Sequence, residues 1–279
     1  MRKVKVNYST TLNIGDCLNV LIGERVLETE FIHSNRFVCE TTGIGSGLGR
    51  FFVKDSILNH TMKGKGAKVV GSFMGPLQVW SAGFIEYPKE KEIPLRTEVN
   101  VASVRGELTK KRLEGILGRE LDATTGDGGL LASCLIEKKV EKEYRLGIIP
   151  HLRERDLPIF DKLVAENESI IRIDVADEPM KVLQQIASCE CILSSSLHGL
   201  IISDSFGIPN QRIIVSERLV GDGYKFDDYY SAFGVEGTSM CIDENSVIDI
   251  NNIFDNYKIS VSAVEQKKNE IIKAFNRFI

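Results

Sequence analysis

Short apolar runs typical of β-strands alternate with amphipathic segments typical of helices along most of the chain. Lys3–Tyr8 predicts a strand, and Cys17–Leu27 and Phe51–Leu58 predict helices. In the second half, Leu146–Ile149 predicts a strand and residues 158–165 a helix. Such alternation indicates βαβ units and parallel sheets, and a chain of 279 residues can bury one large core or two medium ones. We therefore predict an α/β fold.

A charge-dense stretch near the midpoint, Glu137–Glu143, interrupts this rhythm. We predict that it joins two α/β domains, an N-terminal one over residues 1–141 on the acceptor side and a C-terminal one over residues 142–279 on the donor side. A helix over Val261–Phe278 is expected to close the second domain. Because open parallel sheets bind ligands at the carboxyl ends of their strands, two such halves predict a central cleft between them.

Composition narrows the function classes. The net charge of −4 argues against an electrostatically driven nucleic-acid binder. No apolar run approaches the roughly 20 residues that span a bilayer, and the alternating N-terminus fits a strand better than a signal peptide. We therefore expect a cytoplasmic protein without a transmembrane segment, with peripheral membrane association left open. The six cysteines lack the spacing of a zinc site, so we expect no metal.

The most informative segment runs from Cys189 to Asn210. A short apolar strand enters three serines, Leu197-His198-Gly199 follows, and an apolar helix stops before Gly207 and Pro209. Serines before a helix are expected to cap it, and glycine followed by proline marks its end. The pattern places an ionisable histidine at the anion-attracting end of a helix, where it can act as an acid or a base. This corner suits chemistry on a phosphate or carboxylate.

Two turns after predicted N-terminal strands are candidate ligand contacts. In Asn13-Ile14-Gly15-Asp16, Asp16 either caps the following helix or points its carboxylate into the cleft. The glycine-rich turn Gly43–Gly49, with Gly45 and Ser46 in it, lets backbone approach a ligand closely. Its spacing fails the dinucleotide-binding pattern, and the chain has no Walker lysine, so we reject NAD binding and a P-loop.

Cations follow two other predicted strands. Arg105 lies at a strand-to-helix junction, where its planar fork suits a carboxylate or phosphate, although a structural salt bridge is the alternative. His151 and Arg153 follow the first strand of the second half, and a solvated basic loop is an equally good interpretation there. Gly126–Gly129 nearby is a turn that is uninformative by itself.

Taken together, these segments resemble the polysaccharide pyruvyltransferase family. The resemblance is colinear from about residue 10 to 235, and each piece alone is weak. The matching pieces are Asn13–Asp16, Gly43–Gly47, Val79–Phe84, Val104–Gly106, Gly126–Asp127, Ile149–His151, Ser194–Gly199, Phe206–Pro209, Lys225–Tyr230 and Phe233–Gly234. The resemblance implies two Rossmann-like domains around a cleft, as in the GT-B glycosyltransferase fold.

The activity implied by this resemblance is transfer of a pyruvyl group from phosphoenolpyruvate to two hydroxyls of a sugar, giving a cyclic ketal and phosphate. The acceptor would be a polysaccharide or its precursor, lipid-linked oligosaccharides included, and no cofactor is needed. His198 would be the general acid, and Asp16 would position or deprotonate an acceptor hydroxyl. The implied donor-binding residues are Arg105, Ser194, Ser195, Ser196, Gly199 and Lys225. The other implied cleft residues are Asn13, Gly15, Gly45, Ser46, His151 and Arg153.

The chain departs from many members of that family at Ser196, where arginine is frequent. Lys225, Arg153, Arg212 or the helix end would then hold the donor phosphate. Two rival functions remain. One is a nucleotide-sugar glycosyltransferase of GT-B type, in which Asp204 or Glu217 would bind the ribose hydroxyls. The other is a non-catalytic sugar-binding protein of a polysaccharide locus.

Overall fold

The computed structural model describes residues 1–60, 66, 69–165, 167–243 and 245–278. The elements of the first half run in the order β1 (Arg2–Asn7), α1 (Ile14–Arg25), β2 (Thr29–His33), β3 (Thr41–Thr42), a 3-10 helix (Leu48–Phe51), β4 (Phe52–Lys54), α2 (Asp55–His60), β5 (Leu77–Val79), β6 (Glu92–Pro94), β7 (Val99–Val101), β8 (Ser103–Val104), α3 (Glu107–Leu117), β9 (Thr124–Thr125) and a second 3-10 helix (Gly128–Leu135).

The elements of the second half are β10 (Tyr144–Ile149), α4 (Pro158–Ala165), β11 (Ile170–Arg172), α5 (Pro179–Ala187), β12 (Cys189–Ser194), α6 (Leu197–Ser205), β13 (Asn210–Ile214), α7 (Tyr224–Ser231), β14 (Ser239–Cys241), α8 (Ile250–Asn256) and α9 (Val261–Phe278). The helices predicted over residues 158–165 and 261–278 are therefore present.

Two parallel sheets organise these elements. Within the described residues, the first has the strand order β2-β1-β3-β5-β7 and the second β11-β10-β12-β13-β14, with every neighbouring pair parallel. β12 is a largely apolar run with Ile192 and Leu193 fully buried, as expected of a central parallel strand, whereas β1 alternates, burying Val4 and Val6 and exposing Lys3 and Lys5. The predicted α/β fold is confirmed.

The helices are placed by their apolar faces. Leu18 and Ile22, one turn apart on α1, are fully buried in the same core as β1. On α5, Val182, Leu183 and Ile186 are fully buried, as the spacing of an amphipathic helix requires. These helices fix the loops that precede them at the edges of the sheets.

The C-terminal helix α9 reaches into the first half of the chain. The indole nitrogen of Trp80 donates a hydrogen bond to the carbonyl oxygen of Ile271 at 3.2 Å, and its ring lies edge-on to Phe275. The two sheets separate along the chain between Val101 and Tyr144, and Glu137–Glu143 forms neither helix nor strand. The domain division at residue 141 stays a prediction.

The prediction of a helix over Phe51–Leu58 is wrong in its first half. Phe52–Lys54 is a strand, paired antiparallel with β6, and the helix begins only at Asp55. The aromatic and β-branched pair Phe52-Val53 suits a strand, and pairing with residues 40 positions away in the chain is not visible in local periodicity.

Candidate functional site

A cavity of about 690 Å³ lies at the carboxyl ends of strands from both sheets. Its first wall is formed by the loops after β1, β3 and β5, and its second by the loop after β10 and the start of α7. The predicted cleft is therefore present. The polar and glycine residues of interest that line it are Asn13, Asp16, Gly45, Ser46, Arg50, His151, Arg153 and Lys225.

Asn13 and Asp16, the two polar side chains in the turn at the start of α1, have different roles. Asn13 is the N-cap, and its side-chain oxygen accepts a hydrogen bond from the Gly15 amide at 3.1 Å. Asp16 lies in the first helical turn and lines the cavity. Burial raises the pKa of the Asp16 carboxyl to about 6, opposed by a hydrogen bond from Ser9 and by the charge of Arg50. Asp16 is thus a cleft carboxylate and not the cap.

The glycine-rich turn brings backbone to the cavity. Gly45 has φ +125°, a conformation that side-chain-bearing residues rarely adopt, and it forms a bridge with Ala82. The next residue, Ser46, lines the cavity and accepts a hydrogen bond on its hydroxyl oxygen from Nη1 of Arg105 at 2.7 Å.

Arg105 lies behind this wall and not on it. Its side chain is completely buried, with Nε donating to Asp228 at 2.9 Å and Nη2 donating to the Phe84 carbonyl at 2.5 Å. Together with the bond to Ser46, these contacts join the glycine turn, the loop after β5 and α7. Of the two alternatives for this residue, the structure shows the salt bridge, and its guanidinium reaches the cavity through Ser46.

His198 sits between three segments that are distant in sequence. A Cβ on Gly15 would overlap Nδ1 of the His198 ring, and a Cβ on Gly129 would lie 3.5 Å from the opposite edge. Nε2 lies 4.0 Å from Oδ1 of Asp127, and the side chain is 14% exposed. Burial first, then the charges of Lys225, Arg105 and His151, lowers the pKa of His198 to about 3. This imidazole is therefore neutral at neutral pH.

The three serines before α6 bond internally. The Ser194 hydroxyl lies within hydrogen-bond distance of the Ile149 and Ser196 carbonyls, and the Ser195 hydroxyl accepts from the His151 amide at 2.9 Å. Ser196 occupies the N-cap position but makes no side-chain capping bond, so the predicted capping is wrong. A Cβ on Gly199 would overlap the Ser194 hydroxyl. The serines and Gly199 are buried and do not line the cavity; they join the end of β10 to the start of α6.

The second wall carries the cations. Lys225 is the second residue of α7, and burial, followed by the charges of Arg105 and Arg212, lowers its pKa to about 8. Burial and the charges of Lys225 and Arg153 lower the pKa of His151 to about 4. Within the part of the chain that the structure describes, neither the Lys225 nor the Arg153 side chain forms an ion pair. Arg212, stacked 4.0 Å over the ring of Phe226, does not line the cavity.

Two residues at the site were missed by sequence reasoning. Arg50 lines the first wall, and its charge acts on Asp16. Asp127 lies 4.0 Å from Nε2 of His198, although the Gly126–Gly129 turn that contains it is uninformative by itself. In the sequence, Asp127 was indicated only as part of the family resemblance. Nothing in the sequence pointed to Arg50 except that it directly follows the glycine-rich turn.

The acidic residues considered for a nucleotide-sugar site lie elsewhere. Asp204 is completely buried and accepts hydrogen bonds from Tyr229, Tyr257 and Asn210. Glu217 is exposed and outside the cavity. Among the described residues, no cluster of three or more His, Cys, Asp or Glu side chains is arranged to hold a metal ion. Across the same residues, no helix combines the length and apolarity needed to cross a membrane.

Comparison with known proteins decides the family resemblance. The model of the polysaccharide pyruvyl transferase family matches residues 75–210 of this chain. The resemblance read from the sequence is confirmed. The matched region contains the strand and loop around Arg105, the Asp127 turn, His151 and the serine corner with His198.

Two curated relatives match parts of the chain. The uncharacterized protein L143 of Acanthamoeba polyphaga mimivirus is 31% identical over 61% of this chain and 62% of its own length. The succinoglycan biosynthesis protein ExoV of Rhizobium meliloti (strain 1021) is 24% identical over 50% of this chain and 42% of its own length. The matches thus span less than two thirds of either relative.

Among solved structures, the E. coli heptosyltransferase WaaC is similar over 97% of this chain. With ADP-2-deoxy-2-fluoro heptose it gives 12% identity, 99% coverage of that chain and a TM-score of 0.35. With ADP it gives 12% identity, 100% coverage and a TM-score of 0.37. The α/β architecture described above rests on the strand pairing itself.

Proposed function

We propose that the protein transfers a pyruvyl group from phosphoenolpyruvate to two hydroxyls of a sugar in a polysaccharide or its precursor, forming a cyclic pyruvate ketal. The match to the polysaccharide pyruvyl transferase family and the similarity to a succinoglycan biosynthesis protein support this assignment. The observation that carries it is the cavity itself. Arg50, Arg153 and Lys225 line it, and none of them forms an ion pair within the described residues.

These cations suit the proposed donor. Phosphoenolpyruvate carries a carboxylate and a phosphate on the same carbon, C2, and each anion requires a positive partner when it leaves water. Lys225 and Arg153 on one wall and Arg50 on the other can supply such partners. Lys225 then takes the place of the arginine that is frequent at position 196, because it lines the cavity from the first turn of α7 whereas Ser196 is buried.

The proposed reaction balances, and it needs no groups beyond those that line or adjoin the cavity. A proton adds to the methylene carbon of phosphoenolpyruvate, and C2 accepts the oxygen of the first sugar hydroxyl. The C2–O bond to phosphate then breaks, and the second hydroxyl oxygen bonds to C2. The two hydroxyl protons are accounted for by the new methyl group and by hydrogen phosphate, so no cofactor or oxidant is consumed.

His198 is the proposed acid. In the empty protein it is neutral, because burial and three neighbouring cationic or ionisable groups lower its pKa. Binding of a trianionic donor opposes those charges and favours the imidazolium form. Donor binding therefore favours the protonated form of His198, which can then protonate the donor. Without the donor, the His198 ring is neutral.

Asp16 is the proposed base for the acceptor. With a pKa raised to about 6, its carboxylate is ionised at neutral pH yet basic enough to accept a proton from a sugar hydroxyl as that oxygen bonds to C2. We infer that the acceptor lies on the side of the first sheet, where Asp16 lines the cavity, and the donor on the side of the second, where Lys225 lines it.

The test is an incubation of the purified protein with phosphoenolpyruvate and a panel of free and lipid-linked saccharides. We expect phosphate release that depends on the acceptor, and a product whose proton NMR spectrum contains the methyl singlet of a pyruvate ketal. Lys225→Ala should abolish turnover at low donor concentration. The control Lys181→Ala, an exposed lysine of α5 paired with Asp177, should not. Turnover of UDP-sugars without phosphoenolpyruvate consumption would contradict the proposal.

A further inference from the structure

The buried edge of the His198 ring faces the carboxylate of Asp127. Nε2 of His198 and Oδ2 of Asp127 are both shielded from solvent and have no hydrogen-bond partner among the described residues. Oδ1 of Asp127 accepts a bond from the Gly129 amide at 2.8 Å and lies 4.0 Å from Nε2. A buried polar atom without a partner costs about 1–3 kcal/mol, and closing this gap by about 1 Å would satisfy the histidine.

The other edge of the ring points in a different direction. Nδ1 packs against Gly15, in the turn whose neighbours Asn13 and Asp16 line the cavity. Only glycine leaves room for the ring at this position, since a Cβ would overlap Nδ1. The imidazole is thus held with Nε2 toward Asp127 and Nδ1 toward the Gly15 turn, beside the cavity and not on its lining.

We propose that Asp127 is a positioning residue for His198: its carboxylate holds the Nε2 proton and leaves Nδ1 as the atom that exchanges a proton with a ligand in the cavity. Its negative charge also stabilises the imidazolium form. A proton leaving Nδ1 for the methylene carbon of the donor would return the ring to the neutral form with Nε2–H on Asp127. Only this last step rests on the proposed function; the pairing and the tautomer do not.

The structure around Asp127 holds its carboxylate in a fixed position. Asp127 is completely buried and caps the 3-10 helix that begins at Gly128, so its position is set by backbone. The charged and ionisable groups that act on the pair are Lys225 from α7, His151 from the loop after β10, and Arg105 and Asp228. Among the described residues, Asp127 supplies the carboxylate that lies within 4.0 Å of the His198 ring.

Nitrogen NMR of the imidazole tests the proposal without any substrate. In protein labelled with ¹⁵N-histidine, the spectrum contains four rings, and His198→Gln identifies the relevant one. We expect the Nε2–H tautomer at pH 8. Asp127→Asn should shift His198 toward the Nδ1–H tautomer, because an amide can donate to Nε2. Asp204→Asn, which alters an equally buried carboxyl elsewhere, should leave the tautomer unchanged.

A second measurement covers the case in which Asp127→Asn does not fold. Burial raises the pKa of Asp127 to about 6, so the wild-type His198 signals should shift with a midpoint near that pH as the carboxylate is protonated. In the transfer assay, Asp127→Asn should lower kcat by about 10²–10⁴-fold with a smaller effect on KM. A His198 tautomer that is the same in wild type and Asp127→Asn, or insensitive to pH across 5–7, would overturn the proposal whether or not pyruvyl transfer is observed.

Discussion

Arg105 and Asp228 form an ion pair that is completely buried, with Nε 2.9 Å from Oδ2. The Asp228 carboxylate also accepts from the amide and the hydroxyl of Thr109, both at 2.7 Å. The pair joins the loop before α3 to α7, the helix whose first turn contains the cavity lysine Lys225. It therefore sets the distance between the two walls of the cavity.

Breaking this pair should destabilise the protein strongly. Asp228→Asn leaves the guanidinium buried without a counter-charge, which typically costs about 3–5 kcal/mol. Chemical denaturation should show this loss in the free energy of unfolding, and Arg105→Lys should also be destabilising because one ammonium cannot reach Ser46, Phe84 and Asp228 together. Lys3→Ala, in the exposed pair with Glu30, is the control and should change stability by less than about 1 kcal/mol.

Gly15→Ala should displace the His198 ring. The added Cβ overlaps Nδ1, so we expect a loss of about 1–3 kcal/mol from overpacking and a large loss of transfer activity. Gly115→Ala is the matched control, since that helical glycine is exposed with open space around it and should be neutral or stabilising by up to about 1 kcal/mol. Thermal unfolding and activity of both variants, measured side by side, check the prediction; full activity in Gly15→Ala would refute it.

Donor affinity should depend on the protonation of Lys225. Its pKa is lowered to about 8, so the ammonium is present below that pH and is lost above it. The dissociation constant for phosphoenolpyruvate should therefore rise by up to about tenfold per pH unit above pH 8. Titration calorimetry between pH 7 and 9.5 measures this slope. Lys225→Arg keeps its charge over that range and should remove the slope; a slope unchanged in this variant would assign it to another group.

The carboxyl of Asp204 should make the free energy of unfolding depend on pH. Burial raises the pKa of its carboxyl from 3.8 to about 6, so between these values the folded protein holds a proton that the unfolded chain releases. The free energy of unfolding contributed by this group therefore falls as pH rises from about 4 to 6, by at most about 1.4 kcal/mol per pH unit. The stability difference between wild type and Asp204→Asn, measured by urea unfolding at several pH values, should decrease across that window. A difference that grows with pH would show that the carboxyl is ionised more easily in the folded state.

Sequence periodicity determined the local elements of this protein. Amphipathic spacing gave the helices over residues 158–165 and 261–278, and alternating strand and helix patterns gave two parallel sheets with a cleft. The glycine turns and the cavity residues Asp16, Ser46, His151 and Arg153 were also predictable as strand-end candidates, because loops at the carboxyl ends of parallel strands converge on one edge, whereas Lys225 was indicated by the family resemblance alone.

Tertiary packing decided the roles of the buried polar residues. Arg105 lies behind the wall with Asp228, and the serines bond among themselves and to β10, although each looked suited to bind the donor directly. His198 meets Gly15 and Asp127 across 183 and 71 positions of chain. No local pattern specifies such partners, because helix and strand periodicity fixes which face of an element is buried, whereas the packing of whole elements fixes which polar atoms meet inside.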